Sequence, residues 1–471
     1  MNRIDRSNRV VTIVAACLAT AMLMLDISVI NTALSSIAHG LHTGLDGLQW
    51  VVDAYTIPLA ATVLTAGAIA DRIGRRRLFL IGLALFTATS AVCGAANGIE
   101  MLVAARAIQG LGASMMFATA LALISQVTPD RESRTKALAA YGAAIGASFA
   151  LGPFIGGSLT DLFSWPAIFF INVPIGAAVI WITYRSVPEG RDPTPRRIDV
   201  PGQITLIGGL FLLVLALLRG NDDGWGSTGI VAALVGAAVL LIAFIVVEAR
   251  SREPMLPLRM MGQRRFAGAQ VGVFAIASSF FAVFLYLTLY LQTVLGMSPI
   301  ETGLVYLPGT FLVFVVSGMT AQFGTKFSTA KIASVGLLLV ATGLALMLMI
   351  GVHSAWTVLL PGLLVTSIGT GLFNPTGSEL ALQALPPDQS GLAAGANDTF
   401  RQTGVAVGIA ALGTLVPASA ALGGNHQSYV DGLHDALIVS AVIALAGAIA
   451  TAWLLIPAAA RREVEPVTEA A

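Results

Sequence analysis

Long apolar runs separated by short polar segments make up almost the whole chain. Fourteen runs occur, near 10–34, 48–70, 78–97, 101–125, 137–160, 166–184, 200–219, 228–247, 266–294, 303–323, 331–351, 356–380, 391–417 and 436–457. Each is close to the roughly 20 residues that a helix needs to cross a bilayer. Backbone in lipid must satisfy its own hydrogen bonds, and the runs are too long and too evenly apolar for barrel strands. The pattern therefore predicts an all-α polytopic membrane protein with 14 transmembrane helices.

The basic residues fall on one side of this arrangement. With the N-terminus inside, 23 of the 26 Lys and Arg residues lie in cytoplasmic segments, and a miscounted helix would destroy that asymmetry. Cytoplasmic loops hold the Lys and Arg excess in membrane proteins. The charge pattern therefore predicts that both termini are cytoplasmic. Arginine is far more frequent than lysine, which indicates a GC-rich bacterium, so we expect a multi-pass protein of the bacterial plasma membrane.

Two longer polar loops, 185–199 and 248–265, enclose one pair of helices in the middle of the chain. They predict three parts with these bounds: a six-helix bundle at 1–190, an inserted helix pair with its loops at 191–260, and a second six-helix bundle with a short cytoplasmic tail at 261–471.

The most charged loop, Gly67 to Arg77, joins the second and third runs and holds one acid and four arginines. A degenerate copy, Gly318 to Lys326, follows the tenth run. Internal repeats at corresponding positions are typical of transporter folds. The copy therefore supports two related six-helix halves.

The composition argues against several other classes of protein. Only 11% of the residues are charged, whereas about 25% is usual in soluble domains. The net charge of +1 gives no reason to expect a nucleic-acid partner. Cys17 and Cys93 lie inside apolar runs, so we expect neither a disulfide nor a metal site. The sequence shows no nucleophile–base set, metal cluster or nucleotide loop, so we expect neither an enzyme nor a cofactor.

Three ionisable residues, Asp26, Asp53 and Arg106, lie inside predicted spans of the first half at similar depth. A charge in a span is costly and usually faces a cavity or a partner. Desolvation favours a neutral carboxyl and a nearby arginine favours an ionised one, so a carboxyl between these influences can take up and release a proton. We predict that Asp26 is a proton site tuned by Arg106, with Asp53 as a second candidate. A static ion pair is the alternative.

Two further groups of residues stand out in the spans. Asp398 and Arg401 share a helix face by their spacing, and Glu379 lies near the inner end of the twelfth run. Asp398 and Arg401 are predicted to form an ion pair within one helix. A contribution to a cytoplasmic gate is the alternative. In the fifth run, proline kinks the helix and glycines let a neighbouring helix approach. The residues in question are Gly146, Gly152, Pro153, Gly156 and Gly157.

Six motifs occur in order along the chain: Leu25–Leu34, Gln49–Tyr55, Gly67–Arg76, Arg106–Gly112, Gly146–Gly157 and Arg401–Gly404. Together they resemble the major facilitator superfamily, and specifically its fourteen-helix drug/proton antiporter branch. The resemblance covers essentially the whole chain. It implies the major facilitator fold, with two six-helix bundles and an inserted two-helix hairpin.

The resemblance also implies an activity. We expect proton-coupled efflux of amphipathic small molecules, drugs or antibiotics, by a monomer that uses the proton gradient and alternating access. The fifth helix would then be an interface that opens and closes, although close packing alone is the alternative. The charged loop would be a latch for one conformation rather than only a topological anchor, formed by Gly67, Asp71, Arg72, Gly74, Arg75 and Arg76. A dedicated exporter or symporter of an endogenous metabolite on the same fold is the alternative function.

Overall fold

The structure of the protein is a computed structural model. In the part of the chain that it describes, the protein is a bundle of fourteen long helices. That part comprises residues 6–128, 131–191, 198–251, 253–323, 328–383, 390–417, 420 and 424–460, and it contains no β-strand. The helices are α1 (Arg6–Leu41), α2 (Leu45–Ile73), α3 (Arg75–Gly94), α4 (Ile99–Val127), α5 (Arg131–Leu162), α6 (Asn172–Ser186), α7 (Val200–Asp223), α8 (Thr228–Arg250), α9 (Arg264–Val294), α10 (Pro299–Phe323), α11 (Thr329–Leu346), α12 (Leu360–Gln383), α13 (Ser390–Gly413) and α14 (His426–Ala460).

Short helical turns complete the secondary structure. One turn precedes α6 and three 3-10 turns lie in connections, at Ala167–Phe170, Leu258–Met260, Met347–Met349 and Trp356–Leu359. Within α9, two stretches have π-helical hydrogen bonding, Ala277–Phe281 and Tyr290–Val294.

Thirteen of the helices in the described residues are long and apolar enough to cross a membrane, by length and composition alone. Helix α13 is not among them, and its central part carries Asp398, Arg401 and Gln402. The prediction of an all-helical polytopic fold is confirmed. Helix ends differ from the apolar runs, because hydropathy marks only the apolar part of a helix. For example, α1 covers Arg6–Leu41, well beyond the predicted 10–34.

Two ends of the bundle can be distinguished by charge. The turn between α2 and α3, the connection after α8 and the start of α9 hold many of the arginines. We call this the basic end, and the other the opposite end. The second copy of the charged loop, Gly318 to Lys326, reaches outside the described residues at 324–327.

The same helix pairs pack together in the first and second parts of the chain. Helix α1 packs on α5 and α6, α2 packs on α4, and α3 packs on α4 and α6. Correspondingly, α9 packs on α13 and α14, α10 packs on α12, and α11 packs on α12 and α14. Two equivalent contacts join these sets, α5 on α10 and α2 on α13. The arrangement is two six-helix bundles that meet along two seams.

The hairpin of α7 and α8 lies over one of these seams. Helix α7 packs on α8 and also on both α2 and α13. Leu206, Leu210 and Val214 of α7 are buried in one apolar cluster with Ala61 of α2 and Ala406 of α13. The hairpin therefore covers the α2–α13 seam. The chain boundaries at residues 190 and 260 stay a prediction.

Candidate functional site

Asp26 of α1 and Arg106 of α4 form a buried ion pair. Arg106 Nη1 donates to Asp26 Oδ2 at 2.6 Å, and both side chains are about 1% exposed. The other carboxylate oxygen, Oδ1, accepts from Gln109 Nε2 at 3.1 Å and from Asn172 Nδ2 at 2.9 Å. Three donors therefore surround the carboxylate, an arrangement of hydrogen bonds that stabilises a negative charge. The structure brings together the two residues that the sequence proposed as a proton site and its tuning charge.

Arg106 has a second set of partners besides Asp26. Its Nε donates to the carbonyl oxygen of Val51 at 3.1 Å, and Nη1 also donates to Gln109 Oε1 at 2.9 Å. Its guanidinium carbon lies 4.1 Å from the ring centre of Tyr55 and 5.8 Å from that of Phe169. Cation–π contacts of this kind hold a guanidinium without a carboxylate. Arg106 therefore keeps several partners if Asp26 becomes neutral.

Sequence reasoning missed Gln109 and Asn172 as members of this network. Gln109 lies three residues after Arg106, so a helical spacing places both on one face of α4. Asn172 opens α6, and its Nδ2 also lies 3.0 Å from Ser90 Oγ of α3. The only signal for Asn172 was a single amide between apolar residues, which fits many structural roles.

Asp53 of α2 lies apart from this network. It is fully buried, and neither carboxylate oxygen has a hydrogen-bond partner among the described residues. One turn earlier on α2, Gln49 Nε2 donates to Tyr286 Oη at 2.6 Å, and the Tyr286 hydroxyl donates to the Ile409 carbonyl oxygen. These bonds join α2 to α9 and α13. Asp53 therefore belongs to the contact between the bundles, and its role stays a prediction.

The turn between α2 and α3 is fixed by Gly74 and its neighbours. Gly74 has φ +115°, and a Cβ atom there would stand 2.6 Å from a carboxylate oxygen of Glu189. Asp71 Oδ1 accepts from Arg75 Nη2 at 3.1 Å across the turn. The backbone N–H of Arg75 donates to the carbonyl oxygen of Gly190 at 2.9 Å. The backbone conformation at position 74 therefore favours glycine, and a Cβ there would also displace the flexible Glu189 side chain.

The other arginines of this turn reach the segment that follows α6. The backbone N–H of Arg76 donates to Glu189 Oε1 at 3.1 Å, and the Arg76 side chain donates to the carbonyl oxygen of Tyr184. Arg77 Nε lies 3.8 Å from Glu189 Oε2. These contacts stay within the first bundle.

Two further residues of the predicted latch, Gly67 and Arg72, lie at the basic end of α2. A Cβ at Gly67 would meet nothing within 4 Å, so the structure shows no close helix approach there. Arg72 is exposed. The latch function stays a prediction.

Helix α5 is in close contact with its neighbours through its glycines. A Cβ on Gly152 would collide with Ser28 of α1, and one on Gly156 would lie 2.7 Å from the carbonyl oxygen of Val29. The predicted close approach of a neighbouring helix is thus present on the α1 side. Asp26 lies on the same helix two residues before Ser28, so this packing joins the helix that carries the ion pair to α5.

The opposite face of α5 contacts α10 of the second bundle. A Cβ on Gly157 would lie 2.7 Å from the carbonyl carbon of Pro299, and one on Gly146 would lie 3.1 Å from the Phe314 ring. The carbonyl oxygen of Pro153 would likewise meet a Cβ placed on Gly303 of α10. These contacts run along the α5–α10 seam.

The polar residues of the second half are arranged as two separate sets. Asp398 and Arg401 form an ion pair within α13, and Asp398 is 2% exposed with its Oδ2 atom unpartnered among the described residues. Glu379 instead lies at the exposed end of α12, where Oε1 accepts from Gln383 Nε2 at 2.6 Å. The sequence interpretation of an intrahelical pair matches this geometry, and a gate function stays a prediction.

Two six-helix bundles, two seams and a buried ion pair define the architecture of a secondary transporter. A family model described as Major Facilitator Superfamily matches residues 16–409. The chain belongs to this superfamily, and the family prediction from the sequence motifs is confirmed.

Curated relatives extend the comparison over most of the chain. Multidrug resistance protein Stp of Mycobacterium tuberculosis is 34% identical over 421 residues, which cover 89% of this chain and 77% of that protein. Cephamycin export protein CmcT of Amycolatopsis lactamdurans is 33% identical over 461 residues, which cover 97% of this chain and 94% of that protein. Tetracenomycin C resistance and export protein of Streptomyces glaucescens is 33% identical over 413 residues, which cover 86% of this chain and 75% of that protein. The relatives are transporters rather than enzymes.

A solved structure has the same fold. The human organic anion transporter MFSD10 (TETRAN) superposes with a TM-score of 0.60, covering 95% of this chain and 99% of that one. The two are 17% identical, so the likeness supports the fold alone.

Proposed function

We propose that the protein is a proton-coupled efflux transporter of amphipathic small molecules in the bacterial plasma membrane, with both termini in the cytoplasm. The names of the relatives, which refer to drug resistance and antibiotic export, support efflux. The observation that carries the coupling is the buried Asp26–Arg106 pair, whose arginine has a second set of partners.

The pair works as a switch in this proposal. With Asp26 ionised, Arg106 bonds to it and α1 is drawn to α4. A proton on Asp26 removes the charge that attracts Arg106, which then rests on the Val51 carbonyl and the Tyr55 ring. Neither state leaves a buried guanidinium without partners, so the exchange avoids the large cost of an isolated buried charge. Asp53 is a second candidate for the exchanged proton.

Movement of α1 reaches the seam through α5. The glycine face of α5 packs on α1 on one side and on α10 on the other. A shift of α1 against α5 would therefore change the α5–α10 seam, as alternating access requires. In this scheme the Gly74 turn stabilises one conformation as a latch, and Asp398 with Arg401 contributes to the gate at the basic end.

The proton gradient supplies enough free energy for such export. One proton that enters down 100 mV yields about 2.3 kcal/mol, and each unit of pH difference adds about 1.36 kcal/mol. One proton per cycle can thus sustain a gradient on the order of 10² to 10³ for a neutral substrate.

Asp26→Asn tests the proposal in proteoliposomes with an imposed pH gradient. The asparagine keeps the size of the side chain but cannot exchange a proton, so gradient-driven export should stop while the protein still inserts. Glu100→Gln, an exposed change in the first turn of α4, is the matched control and should export normally. Export by the Asp26→Asn variant at the wild-type rate would refute the role of Asp26.

A dedicated exporter of one endogenous compound is the second candidate, because the names of two relatives each refer to one kind of antibiotic. Expression in a sensitive host against a panel of antibiotics and cationic dyes, with and without a protonophore, separates the two. Protection against several unrelated compounds supports a multidrug exporter. Protection against one compound alone supports the dedicated exporter.

A further inference from the structure

Two buried carboxylates that the transport proposal does not use lie at the basic end of the inserted hairpin. Asp199 caps the start of α7, where its Oδ1 accepts from the backbone N–H of Gly202 at 2.8 Å. Glu248 lies in the last turn of α8, and its Oε2 accepts from the backbone N–H of Leu256 at 3.0 Å. Their exposed fractions are 8% and 2%. Each side chain therefore has one oxygen bound to backbone.

The remaining oxygen of each carboxylate is unpartnered. Asp199 Oδ2 and Glu248 Oε1 are buried without a hydrogen-bond partner among the described residues. A Cβ placed on Gly202 would stand 3.0 Å from Asp199 Oδ2 and 2.9 Å from Glu248 Oε1. The two free oxygens therefore face the same small space beside Gly202.

Two ionised carboxylates in one buried space repel each other, and each is costly to desolvate. A single proton removes the repulsion and one of the two desolvation penalties, because one carboxyl is then neutral and can donate a hydrogen bond to the other. A divalent cation fits less well, since Ca²⁺ takes six to eight oxygen ligands and Mg²⁺ takes an octahedral set. Here two side-chain oxygens are free, and backbone N–H groups occupy the other two.

We propose that Asp199 and Glu248 bind one proton between them, and that this proton holds the base of the hairpin onto the α2–α13 seam. The inference concerns regulation and is independent of the proton carried by Asp26. It assigns a binding site to two residues that the transport proposal does not use.

The contacts beside the pair explain how the proton would act on the seam. The Thr65 hydroxyl of α2 lies 3.6 Å from Met255 Sδ in the connection after α8. Gln203 Nε2 of α7 donates to the Ala61 carbonyl oxygen of α2 at 2.8 Å. Leu256, which donates to Glu248, is buried in the apolar cluster shared with α2 and α13. Repulsion between the carboxylates would therefore loosen both α7 and the connection from α2.

Other charged groups lie on the elements around the pair. Asp71 pairs with Arg75, and Asp398 pairs with Arg401, so these four form pairs of their own. The charged group that acts on Glu248 is Asp199 itself. Among the described residues, these elements also carry Asp46, Asp53 and Arg72 of α2, Arg219, Asp222 and Asp223 of α7, Arg250 of α8, Glu253 and Arg259 of the connection, and Arg264 and Arg265 of α9.

The direction of the pH effect follows from the binding site. The folded hairpin binds the proton and the detached hairpin does not, so attachment is fully present at low pH and is lost as the pH rises. Because one proton is released, the equilibrium constant for detachment rises up to tenfold for each pH unit.

Thiol labelling of the full-length protein in nanodiscs measures this detachment. Met255→Cys is introduced with Cys17→Ala and Cys93→Ala, and Gly226→Cys in the same background corrects for thiol ionisation. Position 226 is a suitable control because it lies at the opposite end and faces open space. From about pH 5 upward, labelling at position 255 should rise relative to position 226 by up to tenfold per pH unit, and it should level off once the pair has lost its proton.

Amide variants decide whether the carboxylate pair is the cause. Glu248→Gln replaces the shared proton with a permanent amide N–H, so it should keep labelling low and flatten its pH dependence. Asp199→Asn should do the same, because asparagine also caps a helix, and it provides the test if the first variant fails to fold. A pH dependence that persists in both variants, or is absent from the wild type, overturns the proposal. Suppression of labelling by Ca²⁺ or Mg²⁺ alone at pH 9 would identify a metal site and also overturn it.

Discussion

Asn172 connects α6 to the candidate proton site, and its replacement by alanine tests the coupling mechanism directly. Its Nδ2 donates to Asp26 Oδ1 at 2.9 Å and lies 3.0 Å from Ser90 Oγ. Asn172→Ala removes one of the three donors to the carboxylate. Arg106 and Gln109 remain, so the ion pair itself is intact.

The size of the effect follows from the lost bond. A hydrogen bond to a charged group contributes about 1.5–3 kcal/mol, and one pH unit corresponds to about 1.36 kcal/mol. The variant lacks one of the hydrogen bonds that stabilise the negative charge of the carboxylate. The limb of the transport rate that Asp26 governs should therefore move upward by about 1 to 2 pH units.

The assay is the initial rate of export from proteoliposomes over a range of pH at a fixed pH gradient. Ser90→Ala is the matched control, because it removes a neighbour of Asn172 and leaves all three donors to Asp26 in place. Its pH profile should stay within about 0.5 pH unit of the wild type, because the hydrogen bond that it removes is neutral and does not involve Asp26 itself. An unshifted Asn172→Ala profile, or a shift to lower pH, would show that Asp26 does not govern the rate.

Three substitutions address other parts of the structure. Gly74→Ala should lower the melting temperature and slow export, because positive φ and the nearby Glu189 carboxylate oppose a Cβ, a strain of about 1–3 kcal/mol. Tyr286→Phe should cost about 1 kcal/mol of stability, since its hydroxyl donates to the Ile409 carbonyl oxygen across two helices. Asp53→Leu should raise the melting temperature, because it removes a buried carboxylate whose oxygens have no described partner, and it should reduce pH-driven export if Asp53 carries a proton.

Each of these predictions has a control and a contradicting result. Gly226→Ala faces open space, so an equal loss of stability there would remove the argument for Gly74. Tyr184→Phe is the exposed counterpart of Tyr286→Phe and should leave the melting temperature unchanged. A lower melting temperature for Asp53→Leu would mean that the carboxylate is stabilised in the folded protein.

The sequence predicted the helices and the family because both depend on long, repeated signals. An apolar run of membrane length has few alternative structures. Six ordered motifs likewise leave few alternative families. The Asp26–Arg106 contact was predictable for a related reason, since a lone charge in a span needs a partner and few partners exist.

The rest of the site depends on three-dimensional contacts that leave a weak trace in the sequence. Asn172 and Gln109 are single amides among apolar residues, and only packing shows that they reach Asp26. Asp199 and Glu248 lie in polar loops or at a helix end, where acids are common and are usually solvated. Their burial results from the fold of the hairpin against α2 and α13.

The hairpin of α7 and α8 makes the two flanks of the molecule unequal for anything dissolved in the bilayer. It stands between the surrounding lipid and the α2–α13 seam. On the helices of the α5–α10 seam, in contrast, the side chains of Leu151, Leu304 and Phe311 are exposed. An amphipathic compound that partitions into the membrane meets the junction of the bundles directly from one flank alone. The two flanks of the protein therefore differ within the plane of the membrane, an asymmetry that a symmetric twelve-helix arrangement would lack.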